Sequence, residues 1–96
     1  MTGMKILIAP SFDRSLKKLH ARDKETVDRA IREIASSPLI GQEKKGDLAG
    51  VFVHKFKVNK QEVLLAYRLH PGKNNPQELV LLSLGSHENF YTALKR

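Results

Sequence analysis

The hydrophobic period of this chain changes once, and that change constrains the fold more than any other feature. Between residues 12 and 35 apolar residues recur at helical spacing. Phe12, Leu16 and Leu19 fall at i, i+4 and i+7, and Val27, Ala30, Ile31, Ile34 and Ala35 form a second stripe. From Val51 onward the period is two: Phe52, His54, Phe56 and Val58 alternate with Val51, Val53, Lys55 and Lys57. A helical block followed by a block of strands predicts an α+β domain in which helices cover one face of a sheet.

The boundaries are punctuated. Residues 5–9 are a short apolar run stopped by Pro10, which predicts an N-terminal strand. Ser11 is expected to cap the first helix, with Asp13 in its first turn. Asp23 is expected to cap the second, followed by Glu25, and Ser36-Ser37-Pro38 stops it. A join as short as Ala21-Arg22 forces the helices into an antiparallel hairpin. Residues 39–50 read as a loop. Asn59-Lys60 reads as a tight hairpin turn leading into a strand over 63–70. Residues 71–76 are a turn by composition, and 79–84 are a dense apolar strand. Ser86 then caps a short last helix that puts Phe90 and Leu94 on one face. The expected architecture is two-layered: an N-terminal strand, an antiparallel helical hairpin on a mainly antiparallel sheet of about four strands, and a short C-terminal helix.

Ninety-six residues without a repeat or linker suit a single domain spanning 1–96. No cysteine is present, which removes disulfides, thiolate metal sites and a cysteine nucleophile. The histidines His20, His54, His70 and His87 form no ligand pattern such as HxxxH, so no metal and no cofactor is expected. The short apolar run 6–9 is no secretory signal, and no stretch approaches the 18 apolar residues that span a bilayer. A cytoplasmic location is expected, and either Met1 or Met4 can be the start.

Charge points to the partner. Lys and Arg total 17 against 10 Asp and Glu, a net +7. Residues 1–48 hold 10 basic and 7 acidic residues, and residues 49–96 hold 7 and 3, so the sheet half is nearly acid-free. A small basic domain suits an anionic partner, nucleic acid or an acidic protein. Lys44, Lys45, Lys55, Lys57, Arg68 and Lys95 make a candidate phosphate-contacting set. Edge lysines also keep sheets from pairing with one another, and that reading stands beside the first.

His87 is the candidate catalytic group. It follows a strand end, where a side chain is held rigidly yet open to a ligand, and histidine exchanges protons near neutral pH. Tyr91, one helical turn later, can donate a hydrogen bond or stack a base. The plainer alternative is that the His87 segment caps the last helix and Tyr91 packs on the core. His54 reads equally as a half-buried histidine or as a second acid–base group. If Phe52 and Phe56 face the helices, His54 faces them too, unless a bulge near Gly50 or His54 turns it. No phosphate-cradling glycine loop, serine elbow or carboxylate pair is present.

Three stretches carry a resemblance. Gly46-Asp47-Leu48-Ala49-Gly50-Val51-Phe52, Val63-Leu64-Leu65-Ala66-Tyr67-Arg68 and Leu84-Gly85-Ser86-His87-Glu88-Asn89-Phe90-Tyr91 resemble, in this order, segments of the RelE/ParE superfamily of bacterial type II toxins. The last is similar to the closing segment of the YafQ-like members. The resemblance implies a RelE/ParE-like fold, a cognate antitoxin as partner, and one of two activities. RelE-like and YafQ-like members cut mRNA on the ribosome without a metal, whereas ParE-like members poison DNA gyrase. In the first case it implies His87 as catalytic acid or base, with Tyr91 beside it and His54 as second histidine. An inactive relative that only binds antitoxin is the third possibility. The pattern's upstream histidine, expected near Gly46, is missing here, and Leu64 stands where RelE-like members often carry an arginine.

Overall fold

The N-terminal strand β1 (Lys5–Ile8) feeds directly into helix α1 (Pro10–Lys17), and α2 (Ala21–Ser36) follows after a three-residue connection. These belong to a computed structural model that describes residues 4–86. Proline opens α1 because its missing N–H would lack a partner in the first turn anyway. Ala9 is therefore the cap residue, not Ser11. The Ser11 hydroxyl instead donates to the Leu82 carbonyl at 3.2 Å. The second helix starts at Ala21 with His20 as its cap, three residues before the expected cap Asp23, which sits in the first turn.

Both stripes seen in the sequence face the core, with Leu16, Leu19, Ile31 and Ala35 partly buried at its margin. Phe12 from α1 and Val27, Ala30 and Ile34 from α2 pack onto the sheet. The strands β2 (Gln42–Glu43), β3 (Val51–Val58), β4 (Gln61–His70) and β5 (Glu78–Gly85) complete it. The order is β1-β5-β4-β3-β2, with β1 parallel to β5 and the other pairs antiparallel. The sheet therefore has five strands, not about four. The additional strand lies inside the expected loop 39–50, together with a 3-10 turn over Gly46–Leu48. The expected C-terminal helix lies outside the described residues.

The core lies between helices and sheet. Phe52, Leu65, Tyr67, Leu69, Leu79, Leu81 and Leu84 meet Phe12, Val27 and Ile34 there. Leu81 and Leu84 are three apart, which a regular strand cannot place on one face. A bulge resolves this: Ala66 pairs with Ser83 but Tyr67 with Leu81, leaving Leu82 as the extra residue. A smaller cluster, Val51, Val53, Leu64 and Ala66 with Leu48 and Leu82, occupies the opposite face. That central sheet is thus buried on both sides.

The β3–β4 turn is as the sequence suggests. Asn59 and Lys60 both have positive φ, 52° and 72°, the arrangement that matches strand twist in a two-residue hairpin. Lysine is poorly suited to left-handed backbone, which costs about 1–2 kcal/mol outside glycine and asparagine. Lys60→Gly is expected to stabilise the protein by a few tenths to about 1 kcal/mol after the added unfolded-state entropy. Chemical denaturation of the two proteins measures this, and a loss of stability would contradict the turn.

Candidate nucleic-acid interface

Strand β3 sorts its side chains onto two faces. Lys55 and Lys57 are exposed and share their face with Val51 and Val53, while His54 and Phe56 point the other way, under α2. The β3–β4 ladder is regular from Val51↔Arg68 to Val58↔Gln61, so no bulge turns His54 around. Cross-strand pairs share a face. Arg68, opposite Val51, therefore lies on the same side as Lys55 and Lys57. Arg68 is exposed, and its guanidinium folds back over the start of β3. A Cβ on Gly50 would lie 3.0 Å from Arg68 Nη1, and Gly50 has φ +86°. The left-handed backbone calls for glycine there, whereas the exposed guanidinium is free to swing aside.

These three cations rim the buried strip Val51, Val53, Leu64 and Ala66. Acid enters the face at its ends: Glu62 opposite Lys57, and Glu78 opposite His70. Gly85, the last residue of β5, pairs with Leu64, and Leu64 pairs with Lys55. The described chain thus runs out at the row that holds Lys55, about 10 Å away across two strand spacings. The two residues before His87 are Gly85 and Ser86. His87, Tyr91 and Lys95 themselves lie outside the described residues.

Of the remaining basic residues, Lys45 is exposed and Lys44 is partly buried, its ammonium donating to Gln42 Oε1 at 3.3 Å. Lys73 reaches Glu43 at 2.8 Å and ties the turn after β4 to β2.

His54 stands apart from this set. Its side chain is only 12% exposed, with Nε2 3.5 Å from Glu33 Oε1 of α2. The ring stacks on Phe56 at 5.7 Å between centroids. The sheet separates it from Lys55, Lys57 and Arg68, so it does not reach a phosphate held by those side chains. The structure places Lys55, Lys57 and Arg68 on one sheet face, with Arg68 toward the start of β3, and leaves His54 on the far side.

Tyr67 anchors the loop beside the site. Fully buried, it stacks on Phe52 at 5.4 Å, donates its hydroxyl to the Pro38 carbonyl at 2.7 Å and accepts from the Gly41 N–H at 3.0 Å. Burial pushes its pKa above the ordinary value of 10.0, and the Gly41 N–H offsets part of that. A Cβ on Gly41 would meet the hydroxyl at 2.7 Å. Sequence reasoning missed this clamp, although Gly41 and Tyr67 were both visible.

The family model that describes ParE-like toxins of type II bacterial toxin–antitoxin systems matches residues 6–95. The chain belongs to this family. Solved structures agree on the fold. The RelBE2 toxin–antitoxin complex of Mycobacterium tuberculosis superposes with a TM-score of 0.71 at 22% identity, covering 90% of this chain and 100% of that one. The intact RelBE toxin–antitoxin complex of E. coli gives 0.67 at 18%, covering 88% and 98%. A free-state arginine-to-alanine mutant of the E. coli RelE toxin gives 0.70 at 16%, covering 98% and 94%. No curated protein matches the sequence. This toxin is therefore a RelE/ParE-type α+β protein. No helix among its described residues is long and apolar enough to cross a membrane.

Proposed function

We propose that this toxin is a ribosome-dependent, metal-independent mRNA endonuclease, held in check in the cytoplasm by a cognate antitoxin. The observation that carries the reading is the exposed cation set Lys55, Lys57 and Arg68 on one sheet face, in the row where β5 delivers the chain toward His87. In the reaction the 2′-hydroxyl of one nucleotide attacks the adjacent phosphorus. Its proton passes to a base, the P–O5′ bond breaks, and an acid protonates the leaving 5′-oxygen. Lys55 and Lys57 stabilise the pentavalent phosphorane, whose negative charge exceeds that of the starting diester, and Arg68, about 13 Å along the strand from Lys55, holds a neighbouring phosphate. His87 is the acid, and Tyr91 stacks a nucleotide base. His54 has no place in this scheme because it faces α2. Glu62, opposite Lys57 on the cationic face, has the chemistry to take up the 2′-proton. Lys44, Lys45 and Lys95 add to the diffuse positive field that draws the toxin to RNA.

The second reading is a gyrase poison. It draws on the ParE-like description of the matching family and on Leu64 at a position where mRNA-cutting members often carry arginine. A translation extract with an end-labelled message separates the two. The toxin is expected to cut the message only while it is translated, and the Lys55→Gln/Lys57→Gln double variant to cut about tenfold more slowly or worse. Undiminished cutting by the double variant would remove this face from the mechanism. Absence of cutting, with gyrase-dependent DNA breaks, would establish the second reading.

A further inference from the structure

Strand β1 forms one end of the sheet and pairs only with β5, in parallel. The Lys5 N–H donates to the Gln77 carbonyl at 3.1 Å, and the Ala9 N–H to the Leu81 carbonyl at 2.9 Å. Backbone groups alternate in direction along a strand, so the odd-numbered residues turn toward β5. Ile6 and Ile8 therefore turn their N–H and C=O outward, where no described residue pairs with them.

The side chains of this edge are apolar and exposed. Ile6 is 42%, Leu7 37% and Ile8 50% exposed, and the other large exposed hydrophobics among the described residues are Leu39 and Ile40. Ile6 stands beside Leu79 and Ile8 beside Leu81, so both isoleucines lie on the helix-bearing face. Helix α1 packs over β5 and leaves them uncovered. Leu7, beside Val80, lies on the opposite face. Sheet edges are usually shielded by charge, proline or a covering element. Here Lys5 is the only charged residue of the strand, and it stands beside Glu78.

We propose that β1 pairs with β1 of a second copy of this chain, antiparallel about a two-fold axis at Leu7, joining the two five-stranded sheets into one. The pattern is self-complementary. Ile6 of each copy meets Ile8 of the other, and each such pair exchanges both of its outward backbone bonds. The two Leu7 side chains meet at the axis, and the isoleucines of both copies form one apolar strip beside the α1 helices. Pairing stops where Met4 would face Pro10, which has no N–H.

Charge selects this register and this occupant. An axis at Ile6 would offset the two Lys5 residues by about 7 Å along the strands, whereas the axis at Leu7 offsets them by about 13 Å. An acidic segment would find a single lysine here, already beside Glu78. An apolar, nearly uncharged edge fits another of the same kind, and this chain supplies one. Each copy has one such edge, so the pair closes as a dimer. A four-residue strand buries less than the roughly 1,200 Å² of a standard interface, so the dimer is weak, with Kd on the order of 10–100 μM. Strands β5 and β4 separate this edge from the cations of β3, and the proposal does not depend on the RNA-contact reading.

The test is sedimentation of the full chain between about 1 and 200 μM, which is expected to show monomer passing into dimer. On association the Ile6 and Ile8 amides are expected to exchange about tenfold more slowly or better, while those of Leu7 and Ala9, already turned to β5, do not change. Leu7→Lys and Leu7→Glu each set like charges together at the axis, and each is expected to weaken association about tenfold or more. An equimolar mixture of the two variants is expected to associate again. A chain that stays monomeric at the highest concentration overturns the proposal. So does association that leaves Ile6 and Ile8 unprotected, that Leu7→Lys does not weaken, or that the mixture fails to restore. Protection of those amides only on adding a different protein overturns it too, and gives the edge to that protein. If the Leu7 variants do not fold, the exchange pattern of the unaltered protein decides alone.

Discussion

Tyr67→Ala is expected to destabilise this protein by about 3–5 kcal/mol, the range for removing a large aromatic from a packed core. For a domain of this size that lowers the melting temperature by about 15–30 °C. Three losses combine. The ring leaves its stack with Phe52, the core between helices and sheet opens, and Pro38 and Gly41 lose the hydroxyl that holds their loop. Tyr67→Phe keeps the ring and is expected to cost about 1–3 kcal/mol, the penalty for part-buried backbone groups left unpaired. The phenol also sets a pH dependence. Burial raises its pKa in the folded state. Above about pH 10 the unfolded chain has released this proton while the folded protein keeps it. The folded state then binds more protons, and stability falls as pH rises. Tyr67→Phe is expected to lose that contribution. Denaturation midpoints at pH 8 and pH 10.5 for both proteins measure it. An identical alkaline loss in the two would show that Tyr67 is not its source.

His87→Ala is expected to reduce message cleavage by about two to four orders of magnitude, the usual contribution of a positioned acid or base. The fold is expected to survive, because the described core draws on residues 12–84. His87→Gln, which can hydrogen-bond but not shuttle a proton at neutral pH, is expected to be nearly as inactive. Cleavage by the alanine variant at the unaltered rate would return His87 to a capping role. Cleavage that returns with glutamine would make it a binding residue instead.

Much of the fold was legible because it depends on local periodicity. The alternation from Val51 to Val58 sorted the two sheet faces, and placed Lys55 and Lys57 opposite His54, from side-chain direction alone. Asn59-Lys60 announced its turn by composition. The helix starts were misread because Ala9 and His20 cap without a side-chain hydrogen bond, so the usual chemical marker is missing. Strand β2 was invisible for another reason. Gln42 and Glu43 have no apolar pattern, and their extended pairing is imposed by β3. The bulge at Leu82 was likewise hidden, since it exists to bring Leu79, Leu81 and Leu84 to one face of a particular sheet. At the candidate site, residue types were readable but meetings were not. That Arg68 folds over Gly50, and that His54 lies against Glu33, depends on strand register and on where α2 crosses the sheet.

The most direct measurement of the central claim is to induce this toxin in growing cells and map transcript 5′ ends within minutes. Ribosome-dependent cleavage predicts new ends inside translated frames, absent when translation is blocked beforehand. Growth arrest with intact transcripts and broken DNA would contradict it.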